Sequence, residues 1–240
     1  MFFEHPASRA DDDGPSVREQ FTGTAPLFPL GNLTLLPNVV QPFHMFEPRY
    51  RRLAEDAVEG DGFISLGILQ PNRPADYESK TAQVFPAACV GRIMQYEPLP
   101  GGRWNLIVQG HWRCLLEGER EDSRPYRTAE LAILDEQPAE SDPEFDADAH
   151  REELVDLFRA AEPKLASYPA ISDVLEQELP IGMLADFVAH AIDMSPTSGA
   201  ALLAEPAAAR RCCFLTSLLR SQLRELHGSD RPFPPEFSAN

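Results

Sequence analysis

The sequence predicts an α+β protein in which a small, partly closed β-barrel is followed by a C-terminal helical bundle. Up to about residue 135, apolar residues fall in strand-like runs separated by Pro and Gly, with a single helix-like segment among them. From residue 148 onward, apolar residues recur at helical spacing. Five or more strands with one short helix are typical of a sheet that closes on itself.

The composition is that of a globular protein with a strongly acidic balance. The chain has 240 residues, of which 43% are hydrophobic, and its formal net charge is −17. This charge disfavours nucleic acid as the main partner, because phosphate binding needs a cationic face. No apolar run reaches the roughly 18–20 residues of a membrane span, and the first residues lack the basic and apolar regions of a secretory signal. We therefore expect a cytoplasmic protein with no membrane partner.

The chain has four cysteines and none of them forms a C-x-x-C pair. We expect buried free thiols, as in a reducing compartment, rather than disulfides or structural zinc. The cysteines are Cys89, Cys114, Cys212 and Cys213.

Changes in composition divide the chain into five parts. Residues 1–24 are polar and acidic with little periodicity, which indicates a disordered or loosely docked arm. A run of ten acids against one base lies between Asp135 and Asp156, which indicates a solvated linker entering a helix. The predicted parts are the arm 1–24, a barrel with one helix 25–136, an acidic linker 137–147, a helical bundle 148–228 and a tail 229–240.

Local signals predict the elements of the barrel. Prolines limit the segment 26–46 to short or edge strands. Pro48 suits the first turn of a helix, whose apolar face would carry Tyr50, Leu53, Ala54, Ala57 and Val58 before Gly60 and Gly62 end it. Further strands are predicted at 63–69, 83–97, 103–117 and 125–134, and the two longest flank a Pro/Gly turn and form a β-hairpin.

Three apolar stripes predict the helices of the bundle. They lie in residues 150–166, in residues 184–192 and in a last helix that Pro206 opens and Gly228 ends. Stripes of this kind are typical of core faces rather than of cofactor sites.

The sequence contains no recognisable catalytic or metal-binding motif. The two lysines, Lys80 and Lys164, stand outside any P-loop, and no nucleophile elbow or H-E-x-x-H pattern occurs. Ser79 and Lys80 are adjacent, but they lie in a polar loop where the lysine would stay charged and could not act as a base. We expect no catalytic residue, no metal and no cofactor.

Several motifs together resemble the N-terminal, substrate-recognition domain of Lon proteases. They are Pro26-Leu-Phe-Pro-Leu, Leu36-Pro, Phe43-His-Met-Phe-Glu-Pro-Arg-Tyr50, Val90-Gly-Arg-Ile93, Gly102, Val108-x-Gly110-x-x-Arg113 and Leu184-Ala-Asp-Phe-Val-Ala-His190. The resemblance covers about residues 25–226 and departs at Asn38, where the family pattern has Gly. It implies a PUA-like barrel followed by a helical bundle. It also implies a stand-alone domain that lacks the Lon ATPase and Ser–Lys peptidase, and hence not an enzyme.

The family signature residues are expected to be structural. Phe46 would staple the strand end to the helix, and Glu47 or Arg49 would tie the helix to the barrel. Tyr96 and Trp104 flank the hairpin turn and are our candidates for protein binding, because aromatic residues give large contact areas at low entropy cost. The signature residues are Phe46, Glu47, Pro48, Arg49, Tyr50, Gly91, Arg92, Gly110 and Arg113.

The sequence-based hypothesis is a non-catalytic polypeptide-binding module, acting as an adaptor or chaperone-like factor linked to protein turnover. Its expected partners are unfolded or degron-like polypeptides and a protease, with no nucleic acid. The alternatives are an RNA- or nucleotide-binding PUA-like module and a hydrolase with an unrecognised site. RNA binding is the runner-up because the Arg49, Arg51 and Arg52 group could meet phosphate.

Overall fold

A computed structural model describes residues 3–4, 16–71, 82–165 and 172–229. Its internal contacts divide the chain into two compact units. The first unit combines Met1–Glu136 with Met194–Pro206, and the second combines Gln137–Asp193 with Ala207–Asn240.

The first unit holds seven strands and three helices among its described residues. The strands are β1 Phe3–Glu4, β2 Thr24–Leu30, β3 Val40–Met45, β4 Phe63–Leu69, β5 Val84–Leu99, β6 Arg103–Arg120 and β7 Arg127–Ile133. Its helices are α1 Val17–Gln20, α2 Pro48–Glu59 and α6 Pro196–Ala204. The second unit contains a 3₁₀ turn Ala139–Ser141 and the helices α3 Ala147–Leu165, α4 Ser172–Leu175, α5 Ile181–Ala191 and α7 Ala208–Ser229.

Five strands form the ring of a partly closed barrel. The order is β5-β4-β2-β7-β6, and pairing of β5 with β6 completes the ring. The β2–β4 pair is parallel and the other pairs are antiparallel. β3 extends the sheet from β6, and β1 pairs with β5 at Tyr96. The predicted fold class is confirmed.

Apolar side chains from the ring strands form a continuous core. Leu27, Phe63, Ala88, Val90 and Cys114 are all buried in it. Burial on this scale is the main favourable contribution to folding.

The longest pair of strands is the predicted hairpin. β5 and β6 pair from Ala87 opposite Leu115 to Leu99 opposite Arg103. Gly101 and Gly102 have φ of 80° and 70°, a conformation that glycine adopts without steric cost, and they form the turn. The tip of this hairpin lies beside α2, where Arg51 donates a hydrogen bond to the Gly101 carbonyl.

Helix α2 forms as its sequence predicts. Pro48 occupies the first helical position, and Tyr50, Leu53, Ala54 and Ala57 are buried. Val58 is only half-buried.

Of the two alternatives for the arm, docking rather than disorder holds for residues 16–24. Ser16 and Glu19 form a capping box at the start of α1. The Phe21 ring then packs 5.3 Å from Phe63 and 5.8 Å from Trp112. The half-buried Phe21 ring and the hydrogen bond from the Leu131 N–H to the Gly23 carbonyl join this polar segment to the barrel. Residues 5–15 of the predicted arm lie outside the described residues.

Helix α6 packs on the barrel rather than in the predicted bundle. Ser195 caps its first turn and Pro196 begins it. A Cβ on Gly199 would lie 2.2 Å from Oγ1 of Thr34, so the helix approaches the barrel more closely than any larger residue would allow. The stretch Met194–Pro206 therefore belongs with the first unit.

The second unit is built from α3, α5 and α7, which correspond to the three predicted stripes. Its core includes Leu154, Phe158, Leu184 and Leu215. A fully buried ion pair joins Arg211 of α7 to Asp186 of α5, with Nε 3.5 Å from Oδ1. Removing one partner would leave a buried, unpaired charge and should destabilise the second unit.

Candidate functional site

The start of α2 is held by contacts among three signature residues. The Glu47 carboxylate accepts a hydrogen bond from Nε of Arg49 at 3.0 Å. The Arg49 guanidinium lies 4.5 Å from the Tyr50 ring centroid, within range of a cation–π contact. The Tyr50 ring packs edge-on against Phe28 at 4.6 Å, and its burial raises the pKa of the Tyr50 hydroxyl. The contact of Tyr50 with Phe28 of β2 seats the helix on the barrel, whereas Glu47 and Arg49, which were expected to tie the helix to the barrel, bond to each other.

The staple expected from Phe46 is wrong. Phe46 is 61% exposed, and its ring stacks on His44 at 6.0 Å instead. Along β3, Phe43 and Met45 point inward while Val40 and His44 are exposed. Phe46 follows on the outward side and therefore lies at the surface.

Two signature glycines lie where chain segments nearly touch. A Cβ on Gly91 would come within 2.7 Å of Cγ1 of Val108, and one on Gly110 within 2.1 Å of the Leu36 carbonyl oxygen. Asn38 donates its N–H to the Gly110 carbonyl at 2.8 Å and has φ of 65°. The backbone at Asn38 is therefore in a conformation that glycine adopts more readily than other residues.

The two signature arginines outside α2 contact different neighbours. The Arg92 guanidinium lies 5.5 Å from the Phe63 ring centroid. Arg113 is 3% exposed and donates from Nε to the Leu202 carbonyl at 3.4 Å, at the C-terminal end of α6. A cation there interacts favourably with the helix dipole, so Arg113 helps hold α6 on the barrel.

The hairpin tip and α2 enclose a cleft of about 310 Å³. Helix α2 contributes Pro48, Arg51 and Arg52 to its lining, and the hairpin contributes Arg103 and Trp104. We call this the tip cleft.

Trp104 lines the tip cleft and is half-buried. The Tyr96 ring supports it from the neighbouring strand at a centroid distance of 6.0 Å. The structure therefore brings the two candidate binding residues together, but only Trp104 lines the cleft.

The arginines of the tip cleft differ in their partners. Arg52 pairs with Glu55 at 2.9 Å and with Asp56 at 2.7 Å, and the charge of Asp56 raises the pKa of Arg52. Arg51 donates from Nη1 to the Gly101 carbonyl, and Arg103 donates from Nε to the Pro100 carbonyl at 3.1 Å. Within the described part of the chain, Arg51 and Arg103 form no ion pair with a carboxylate. Sequence reasoning did not bring these two residues together.

A second cleft of about 490 Å³ lies on the other side of Arg52. Arg52 and Arg124 line it, but Arg52 pairs with Asp56, and Arg124 Nη1 lies 3.9 Å from Asp122 Oδ2. Among the described residues, no aromatic side chain lines this second cleft. The tip cleft is therefore the better candidate for binding a ligand.

The described residues offer no metal-binding cluster, and burial affects two of the thiols. No group of three His, Cys, Asp or Glu side chains among them could hold a metal ion. Burial raises the pKa of Cys114 and of Cys212 to about 12, which keeps both thiols protonated at neutral pH. Cys213 is exposed, contrary to the prediction that all four thiols are buried. Ser79 and Lys80 lie outside the described residues.

No helix in the described part of the chain is both long and apolar enough to cross a membrane.

A family model described as the ATP-dependent protease La (LON) substrate-binding domain matches residues 24–221. The chain belongs to the Lon substrate-binding domain family. The resemblance carried by the F-E-P-R-Y block and the glycine motifs is confirmed.

Relatives of this Lon-family chain are complete Lon proteases, of which it matches only a small part. It is 26% identical over 129 residues to the Lon protease of Cytophaga hutchinsonii, covering 54% of this chain and 16% of that protein. It is 26% identical over 209 residues to Lon protease 1 of Herpetosiphon aurantiacus, covering 83% of this chain and 24% of the relative. The chain therefore spans less than a quarter of either relative's length.

Two solved structures share the Lon N-terminal fold with this chain. The N-terminal domain of the Mycobacterium avium complex Lon protease superposes with a TM-score of 0.63 at 16% identity, covering 82% of this chain and 98% of that domain. A Lon N-terminal domain protein from Xanthomonas campestris superposes with a TM-score of 0.56 at 20% identity, covering 82% and 97%.

Proposed function

We propose that this Lon-family domain binds unfolded or degron-like polypeptide segments without cleaving them. The observation that carries the proposal is the match of a substrate-binding family model to residues 24–221. The match covers the substrate-binding part of Lon only, which supports a recognition role over a catalytic one. We infer further that the domain acts as an adaptor or chaperone-like factor in protein turnover, with a protease as a second partner.

The tip cleft is the surface we propose for this binding. It combines an aromatic side chain, Trp104, with the apolar residues Pro48 and Leu99. Aromatic anchors in a recess contribute most of the binding energy at many interfaces. An extended, unfolded segment can reach such a recess, whereas a folded protein keeps its apolar side chains buried.

Four cysteines without a disulfide support a cytoplasmic location for this activity. This location is part of the proposal.

A pull-down with a permanently unfolded protein tests the proposed function. The chain would be immobilised and exposed to reduced, carbamidomethylated lactalbumin and, separately, to native disulfide-bonded lactalbumin. We expect retention of the unfolded form only. Equal retention of both forms, or retention of neither, would count against polypeptide recognition.

A matched pair of variants locates the binding surface. Trp104→Ala removes the aromatic wall of the tip cleft and should weaken retention of the unfolded protein. Arg18→Ala removes an exposed ion pair with Asp135 and should leave retention unchanged. Thermal unfolding of both variants would verify that they remain folded.

RNA binding remains the second candidate, because the tip cleft places arginines beside an aromatic ring that a base could stack on. The net charge of −17 opposes it. Filter binding of single-stranded RNA at low salt distinguishes the two functions, and we expect no salt-sensitive retention.

A further inference from the structure

We propose that the tip cleft binds an acidic side chain of an extended polypeptide, so that the domain prefers acidic segments to neutral ones. This inference rests on the proposed function and specifies the class of segment that is recognised. The cleft would take a Glu or Asp carboxylate at its arginines and a neighbouring apolar side chain at Trp104.

The tip cleft carries an excess of positive charge. Among the described residues, Arg51, Arg52 and Arg103 line the tip cleft against one carboxylate, that of Glu55. Glu55 already pairs with Arg52, which also pairs with Asp56. The positive charges of Arg51 and Arg103 thus meet no carboxylate in the described structure. This local excess stands out in a chain with a net charge of −17.

Backbone carbonyl groups of the hairpin turn hold Arg51 and Arg103 in place. Arg51 uses one N–H to donate to the Gly101 carbonyl, and Arg103 uses Nε to donate to the Pro100 carbonyl. A guanidinium has five N–H donors in a planar fork, so each side chain is positioned by the turn and keeps further donors. Guanidinium groups bind carboxylates in two-pronged hydrogen bonds, and holding them in place reduces the entropy lost on binding.

The N-terminal end of α2 lines the tip cleft. Pro48 and Arg51 belong to its first turn, and the N-terminus of a helix carries a partial positive charge. Glu47, at the N-cap, makes no capping hydrogen bond with its side chain, which turns instead to Arg49. The partial charge of this helix end adds to the attraction of a carboxylate, while the N–H groups of Tyr50 and Arg51 are already bonded to the Glu47 carbonyl.

The shape of the cleft favours a peptide over a free anion. Its volume of about 310 Å³ exceeds the needs of a single carboxylate, and Pro48, Leu99 and Trp104 supply an apolar wall. An acidic residue followed by an apolar one would satisfy both parts of the lining.

Paired peptides test this preference. We would measure, by fluorescence anisotropy, the binding of two labelled peptides that are identical except that Glu in one is replaced by Gln in the other. A charge-assisted hydrogen bond predicts about tenfold tighter binding of the Glu peptide. Added salt should reduce the difference, since the cleft is open to solvent.

Protein variants assign the preference to the tip cleft. The double variant Arg51→Gln/Arg103→Gln should bind both peptides with the affinity of the wild type for the Gln peptide. Arg120→Gln is the control, because Arg120 is an exposed arginine paired with Glu130 at the far end of β6. Arg103→Gln alone provides a second test if the double variant fails to fold, since Arg103 is exposed.

The outcomes separate this inference from the proposed function. Equal affinity for the Glu and Gln peptides, or a preference that the arginine variants retain, would overturn it, even if unfolded lactalbumin is still bound. Binding of single-stranded RNA that displaces the Glu peptide, and that the double variant abolishes, would assign the cleft to phosphate and would also overturn it.

Discussion

The Leu36 carbonyl oxygen passes so close to Gly110 that a Cβ at that position would lie 2.1 Å away from it. The same two segments are joined by the hydrogen bonds of Gly110 N–H to Val39 and of Asn38 N–H to the Gly110 carbonyl. The backbone of β6 and the loop before β3 are therefore in direct contact, and no side chain fits between them.

Gly110→Ala should destabilise the fold by about 3 kcal/mol, since backbone must move to admit the methyl group. Urea unfolding measures the change in free energy. Gly118→Ala is the matched control on the same strand, where the nearest atom, Oε2 of Glu130, would lie 3.5 Å away in ordinary contact. Similar losses for the two variants would show that the close approach at Gly110 does not exist.

Tyr50→Ala should cost roughly 3–5 kcal/mol of unfolding free energy, because it removes a ring that is 7% exposed and packs on Phe28. Tyr50→Phe keeps the ring and should cost no more than about 1.5 kcal/mol. Chemical denaturation of both variants checks the prediction. A change within about 0.5 kcal/mol for Tyr50→Ala is typical of an exposed residue and would refute the packing described for α2.

Substitutions at Asn38 should change the stability of the fold in opposite directions, depending on how readily the new residue adopts a positive φ. With φ at 65°, Asn38→Gly relieves the strain and should leave stability unchanged or slightly raised, whereas Asn38→Ala should lower it by about 1 kcal/mol. The melting temperatures of the two variants, measured side by side, check this prediction. An alanine variant as stable as the glycine variant would contradict a left-handed residue at this turn.

Stability should fall at alkaline pH in part because of Cys114. Burial raises the pKa of this thiol to about 12 in the folded state, above the value of about 8.5 expected when unfolded. The contribution of this thiol to the free energy of unfolding is fully present below its pKa in the unfolded chain. It is lost as the pH rises toward its pKa in the folded state, because the unfolded chain releases the proton first.

The Cys114→Ala variant tests that contribution through the pH dependence of unfolding. Urea unfolding at neutral pH and near pH 10 should show a smaller alkaline loss in the variant than in the wild type, by up to about 1.4 kcal/mol per pH unit. Parallel losses would mean that Cys114 titrates normally and is not buried.

Local sequence patterns predicted the elements that depend on neighbours in the chain. The apolar spacing from Tyr50 to Ala57 gave α2 correctly, and the Pro/Gly turn gave the β5–β6 hairpin. Both depend on backbone preferences and on periodicity, which adjacent residues carry.

Contacts between distant residues could not be predicted in the same way. The sequence of Pro196–Ala204 does not say whether α6 packs on other helices or on the barrel, because that depends on the close approach of Gly199 to Thr34. The apolar Phe46 suits a buried staple as well as an exposed position, and only the alternation along β3 decides between them.

The candidate site was predicted only in part. Trp104 and Tyr96 stood out as aromatic residues beside a turn, and they do lie together at the hairpin tip. The tip cleft itself depends on Arg51 and Arg103, which come from separate elements that only the folded chain brings together.

Recognition of unfolded polypeptide by the domain can be measured in an equilibrium titration. The chain would be titrated with reduced, carbamidomethylated lactalbumin and with native lactalbumin in a calorimeter at physiological salt. We predict saturable binding of the unfolded form and none of the native form. Indistinguishable titrations of the two forms would contradict the account.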